Sequence, residues 1–339
     1  MQSDRAITAL QPASRLTPTR AARVIVALSI LLLIGILLAL TLGSESIPIH
    51  AIFDNSLSPE QSTILFNIRL PRVLLALGTG AALAVAGAGF QALLRNPLAD
   101  PYVLGVSSGA AVGAIAAIAL LPSLTIARPL LSFAGAGVAT LFVFYLGRRG
   151  EEPARLILAG VVVSTLLSSL IMLVVSLVPS RELRNITFWL LGDLSSGTMG
   201  SVAPLFVVAT AGIVTLTLNA RELNLMMTGE RDAFSLGVET RRVRWMVFAG
   251  ASLLTAAAVS AGGAIGFVGL VVPHLIRLST TADNRLVIPC SAIGGALFVL
   301  LADTGARTVI APRELPTGAI LALIGAPVLG YLLVGRKFF

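Results

Sequence analysis

Arg69-Leu70-Pro71-Arg72, an uncharged run rich in glycine and alanine, and then Arg95-Asn96-Pro97-Leu98-Ala99-Asp100-Pro101 form the stretch that decides the fold. Pro71 suits the first position of a helix, where its missing N–H has no partner to lose. Asn96-Pro97 is a stop, because the residue before proline disfavours the α region. The spacing predicts a helix from about Pro71 to Leu94, 24 residues, against the roughly 20 that cross a hydrocarbon core. An arginine at the bilayer centre costs about 2.5–3.5 kcal/mol on the insertion scale, so Arg69, Arg72 and Arg95 are expected at the two interfaces. Between them Ala76, Gly80, Ala84 and Ala88 recur every four residues, a small-residue face that admits another helix at close range.

The rest of the chain has the same character. Of its residues, 56% are hydrophobic and 12% charged, with a mean hydropathy of +0.94, whereas a soluble domain carries roughly 25% charge. This is the composition of an all-α, polytopic membrane protein. The formal charge of +8 does not indicate nucleic acid, since the arginines lie in short gaps between apolar runs rather than on one folded face.

Apolar segments that span, or nearly so, fall at about 24–43, 71–94, 102–121, 129–147, 155–178, 202–218, 245–261, 264–280, 286–305 and 316–335, ten in all. One division falls at Gly262-Gly263, where a tight glycine turn has to split one continuous apolar stretch. With ten spans both termini share a side. Placing them inside puts 17 of the 24 basic residues there and leaves Arg69, Arg72, Arg128, Arg181, Arg184, Arg307 and Arg313 outside, as the positive-inside rule favours. At 20 residues the first run exceeds the roughly 7–15 of a signal-peptide core, so it reads as a retained first helix. Residues 1–20, rich in Ser, Thr, Pro and Arg, read as a flexible cytoplasmic tail ahead of a single transmembrane domain, 21–339.

Several chemistries are absent. No phosphate loop occurs, and the one lysine, Lys337, lies near the C-terminus, so the chain is not itself a P-loop ATPase. The two histidines, His50 and His274, have no metal-ligand spacing, and Cys290 is the lone cysteine. Ser107-Ser108-Gly109 reads as helix packing, not as a nucleophile elbow. Asp193, Asp303 and Arg307 lie near outer helix ends, and no carboxylate sits at mid-span with an evident partner. An ion-coupled carrier working without an ATPase is therefore the alternative, and it has no visible relay.

One polar segment of size remains, about 220–244. Gly229 divides it into two short helices, Glu230 and Asp232 favour the N-terminal end of the second, and Gly237 ends it. Leu223, Met226 and Met227 make one apolar group and Phe234, Leu236 and Val238 another. On the inside surface such groups suit a docking partner, or else they fold back on the bundle.

Taken together, Arg69 to Gly109, Gly266-Phe267-Val268-Gly269-Leu270-Val271-Val272-Pro273-His274-Leu275-Ile276-Arg277, Glu314-Leu315-Pro316-Thr317-Gly318 and Gly325-Ala326-Pro327 resemble the iron-complex and vitamin B12 family of ABC importer permeases, over nearly the whole chain after residue 60. The resemblance implies a type II importer fold of about ten helices that pairs with a second copy of itself in membrane lipid. It implies two separate ATP-binding subunits, which use ATP and Mg, while this chain binds no cofactor or metal and is not an enzyme. An extracytoplasmic binding protein would deliver a bulky metal chelate, with ferric siderophore the leading expectation and haem or cobalamin the others. By the same resemblance Arg69, Arg72 and Arg307 dock carboxylates of the binding protein, and Asn96 and Leu98 form a cytoplasmic gate. Gly229, Asp232, Ala233, Phe234, Leu236, Gly237 and Val238 belong to the loop that couples to the ATPase.

Overall fold

The computed structural model describes residues 18–43, 45–54, 56–102, 104–121, 123–124, 126–147 and 153–334. Its elements in chain order are α1 (Pro18–Thr41), α2 (Ile49–Phe53), α3 (Pro59–Thr63), a π-helical turn (Ile64–Arg69), α4 (Leu70–Leu94), α5 (Val106–Leu120), α6 (Ala127–Gly147), α7 (Pro153–Leu177) and α8 (Ser180–Leu190). There follow α9 (Met199–Leu218), α10 (Ala220–Thr228), α11 (Glu230–Ser235), α12 (Thr240–Gly262), α13 (Val268–Ser279), α14 (Asn284–Thr308) and α15 (Thr317–Val334). Among the described residues seven helices are long and apolar enough to cross a membrane, and α5, α13 and α15 are shorter apolar helices. Together they account for the ten expected segments. Most of the expected tail lies outside the described residues, and 18–20 are already helical.

The hub of the bundle is α4, buried along nearly its whole length and packed on α9, α12, α13 and α14. The small-residue face makes this possible. A Cβ on Gly80 would overlap the Gly295 carbonyl, and one on Gly295 would press on Gly80 and Ala84, so α4 and α14 meet backbone to backbone. Ser107-Ser108-Gly109 likewise belongs to a tight α5–α6 crossing, with Gly109 against Gly135 and Ala139. By contrast α1 and α7 expose most of their apolar side chains, Ile30 and Leu33 on one and Leu166 and Leu173 on the other among them. Such a surface is stable only in lipid or against another apolar helix.

Two boundaries differ from the expectation. Helical structure does not begin at Pro71 but runs on from Pro59 through the π-turn, in which the Leu70 N–H reaches the Leu65 carbonyl. This turn shifts the register just where Pro71 has no N–H to give, so the proline sits inside a continuous helix. The other end is as read: Arg95 takes left-handed angles (φ 49°) and Asn96 Oδ1 accepts from the Leu98 N–H at 2.9 Å.

The division at Gly262-Gly263 exists, but it is wider than a tight turn. Gly263 (φ 73°) ends α12 and non-helical chain continues to Phe267. At 12 residues, α13 is about 18 Å long and cannot cross alone. The unwound backbone is partly buried and finds internal partners: the Ala264 N–H donates to the Trp189 carbonyl (3.2 Å) and the Asp193 N–H to the Gly262 carbonyl (2.9 Å). Broken helices survive at membrane depth only on such terms.

Candidate functional site

Alternate helix ends collect at two poles, which carry different chemistry. At the first, the end of α1, the π-turn and start of α4, the end of α14 and the start of α15 bring Arg69, Arg72, Arg307, Asp303, Glu314 and Thr317 together. Arg72 is 4% exposed. Its Nε donates to both oxygens of Asp303 at 3.0 Å, and its Nη1 donates to Glu314 Oε2 at 2.7 Å. Asp303 is fully buried and also accepts from Thr317 Oγ1 at 2.9 Å, with Arg307 Nε at 3.6 Å. Asp303 lies near the end of α14, as read from the sequence; its partners were not read there, and they matter because a buried charge is tolerable only when paired.

Arg69 and Arg307 do something else. Arg69 Nη1 donates to the carbonyls of Leu40 (2.9 Å) and Thr41 (3.1 Å), and its Nη2 to that of Glu45. Arg307 Nη2 donates to the Ala39 carbonyl at 2.6 Å. Both guanidinium groups therefore cap the C-terminal turn of α1, which has carbonyls without intrahelical partners and the negative end of the helix dipole. All three arginines expected on a docking surface are buried. Only Arg72 reaches a substantially exposed side chain, Glu314, at 48%.

The second pole holds the 220–244 segment, folded as expected into α10 and α11 around Gly229 (φ 138°), with Gly237 (φ 85°) after them. Asn224 fastens α10 to the start of α14, donating to Asp283 Oδ1 (2.7 Å) and accepting from the Asn284 N–H (2.9 Å). Glu230 pairs with Arg244, which fastens α11 to α12. The Arg285 side chain, helped by its own N–H and the Asn224 amide and opposed by burial, holds the Asp283 carboxyl below its usual range.

Of the apolar side chains there, Leu223, Met226, Ala233 and Val238 are buried, whereas Phe234 (72%), Leu236 (65%) and, less so, Met227 are exposed. Each of the two expected groups is divided, Met227 of the first pointing out and Val238 of the second folding back. Asp232 and Gly237 lie on the same open surface. Nearby, Asn96 is half-buried and Leu98 exposed at the end of α4.

Sequence reading missed Gln91. Pro273 inside α13 has no N–H for the Gly269 carbonyl four residues back, and Gln91 Nε2 supplies the donor at 3.1 Å. Its Oε1 in turn accepts from Arg277. This clasp lies where a Cβ on Gly87 would overlap the Gly269 backbone, so α4 holds the proline-weakened half-helix at its closest approach. A polar residue within an apolar span, 178 positions from the carbonyl it serves, gave only a weak signal. A further cavity of about 950 Å³ lies among α5, α6, α8, α9 and α12, lined by Arg128, Phe188, Trp189, Asp193 and Ser201 among others.

Comparison with known proteins gives these features a context. Residues 31–335 match the model of the FecCD transport family. The chain is 42% identical to the ABC transporter permease protein YvrB of Bacillus subtilis, covering 94% of this chain and 95% of that one. It is 45% identical to the cobalamin import system permease BtuC of Halobacterium salinarum (82% and 76%) and 37% identical to the hemin transport system permease HmuU of Yersinia pestis (91% and 96%). Among solved structures it resembles a metal-chelate type ABC transporter in an inward-facing conformation, with a TM-score of 0.85 and 32% identity over 93% of this chain and 99% of that one. The chain belongs to the FecCD transport family, the iron-complex and vitamin B12 group of ABC importer permeases.

Proposed function

We propose that this chain is the permease subunit of an ATP-driven importer for a bulky metal chelate, working as a pair of copies in the inner membrane with both termini cytoplasmic. An extracytoplasmic binding protein delivers the chelate at the arginine pole, where Arg72, supported by Arg69 and Arg307, receives its carboxylates. Two ATP-binding subunits dock on the opposite pole. When ATP and Mg draw them together, the Gly229 to Val238 segment passes the motion into α12 and α14 through the Glu230–Arg244 and Asn224–Asp283 contacts. The copies then tilt about the broken α12–α13 link and the proline in α13, and Asn96 and Leu98 open or close the inner end of the path.

The observation that carries this reading is the pairing of two facts: the chain has no phosphate loop, yet it presents Phe234 and Leu236 to solvent on a firmly fastened loop. Large apolar side chains held out in this way suit a partner's groove. The names of its relatives favour cobalamin or haem as cargo, and ferric siderophore belongs to the same class of large chelates. Purification from the native membrane tests the reading: an ATPase should accompany the intact chain and be lost from Phe234→Ala/Leu236→Ala. Uptake of labelled ferric siderophores, haem and cobalamin by the purified assembly then identifies the cargo, and uptake that proceeds without ATP would refute the proposal.

A further inference from the structure

The two carboxylates on Arg72 are not equivalent. Asp303 is fully buried, binds Nε through both oxygens and is itself held by Thr317. Glu314 makes a single bond, to Nη1, from a side chain that is 48% exposed. Asp303 therefore fixes the guanidinium from inside, and Glu314 covers the end that faces out. A half-exposed carboxylate that leaves an ion pair regains its hydration at once, whereas a buried one does not. Arg69 and Arg307 have no such exchangeable ligand, since their hydrogen bonds run to backbone carbonyls of the α1 end and the carboxylate beside Arg307, Asp303, is fully buried.

We propose that Glu314 is an internal place-holder: it occupies the outward end of Arg72 until a carboxylate of the docking protein displaces it, and so sets both the affinity and the selectivity for acidic partners. Arg69 and Arg307 keep α1 in place and do not exchange ligands. This rests on the docking role of Arg72 proposed above. Because Glu314 lies two residues before Pro316 and three before Thr317, the first residue of α15, its release also frees the start of α15 from one of its polar ties to α4 and α14, the others being Thr317 to Asp303 and the Leu315 N–H to the Ala306 carbonyl at 3.0 Å. Binding at the rim would thereby loosen a transmembrane helix.

The test titrates the assembled transporter in nanodiscs against the immobilised binding protein encoded with it, comparing wild type, Glu314→Gln and Arg72→Lys. Glu314→Gln is expected to tighten binding about tenfold, the scale of one charge-assisted bond freed for the partner, and Arg72→Lys to weaken it. If Arg72→Lys weakens binding but Glu314→Gln leaves it unchanged or weakens it too, the place-holder is overturned and docking at Arg72 stands. If neither variant moves the affinity, the docking role fails and the proposal with it. A partner-free measurement stands beside this one. Phenylglyoxal, mapped by peptide mass spectrometry, should modify Arg72 in Glu314→Gln and spare it in wild type, and equal protection in the two would overturn the proposal.

Discussion

The arginine pole and the loop pole are opposites in how they meet solvent. At the first, three cations are drawn inside and held by Asp303, Glu314 and the open carbonyls of α1. At the second, polar contacts fasten a loop that turns Phe234 and Leu236 outward. Polar groups are thus spent on internal cohesion at both poles. What differs is what is left for a partner: at one pole a charge with a removable cover, at the other an apolar surface that is already free.

Substitutions should separate the two poles by size of effect. The largest belongs to the arginine pole. Removing Arg72 strands the buried Asp303 carboxylate, and Arg72→Ala should destabilise the folded protein by about 3–5 kcal/mol, read as a lowered Tm in detergent. Arg72→Leu/Asp303→Leu should recover part of that loss, and a double variant as unstable as the single would contradict the pairing. Next comes the clasp: Gln91→Leu leaves the Gly269 carbonyl and Arg277 without this partner, at about 1–3 kcal/mol, measured in the same way.

Smaller effects are expected at the loop pole. Asp283 has a carboxyl held below its ordinary 3.8, so its contribution is fully present above that pH and is lost as the pH falls through the depressed value. For a pair this exposed it amounts to under about 1 kcal/mol. The Tm difference between wild type and Asp283→Asn should therefore be visible at neutral pH and vanish in strong acid. Smallest of all, Phe234→Ala and Leu236→Ala should leave the Tm within about 0.5 kcal/mol of wild type, because side chains exposed in the folded chain lose nothing there. A marked loss of stability would mean that these two residues serve the fold.

What could be read in the sequence was what local chemistry fixes. Asn96-Pro97 ends α4, Gly229 and Gly237 bound the short helices, and the Ala76–Ala88 spacing marks the face on which α14 lies, because each follows from neighbouring residues alone. Pro71 misled for the same reason. A proline near a charged residue has the form of a helix start, and only the π-turn before it, set by how α3 joins α4, lets the helix run through. The ion cluster and the clasp were beyond reach of local pattern, since Arg72 and Asp303 are 231 residues apart and Gln91 and Gly269 are 178. The division of the loop residues was equally hidden. Phe234 and Val238 have the same apolar character in sequence, and only the fold turns one out and the other in.

In the proposed mechanism the energy for transport comes from outside this chain, through the loop pole. The most direct measurement reconstitutes the purified permease in liposomes with an imposed proton or sodium gradient, and again with its ATPase and ATP. Accumulation of labelled chelate against its own gradient is expected only in the second preparation, and uphill accumulation in the first would contradict the account.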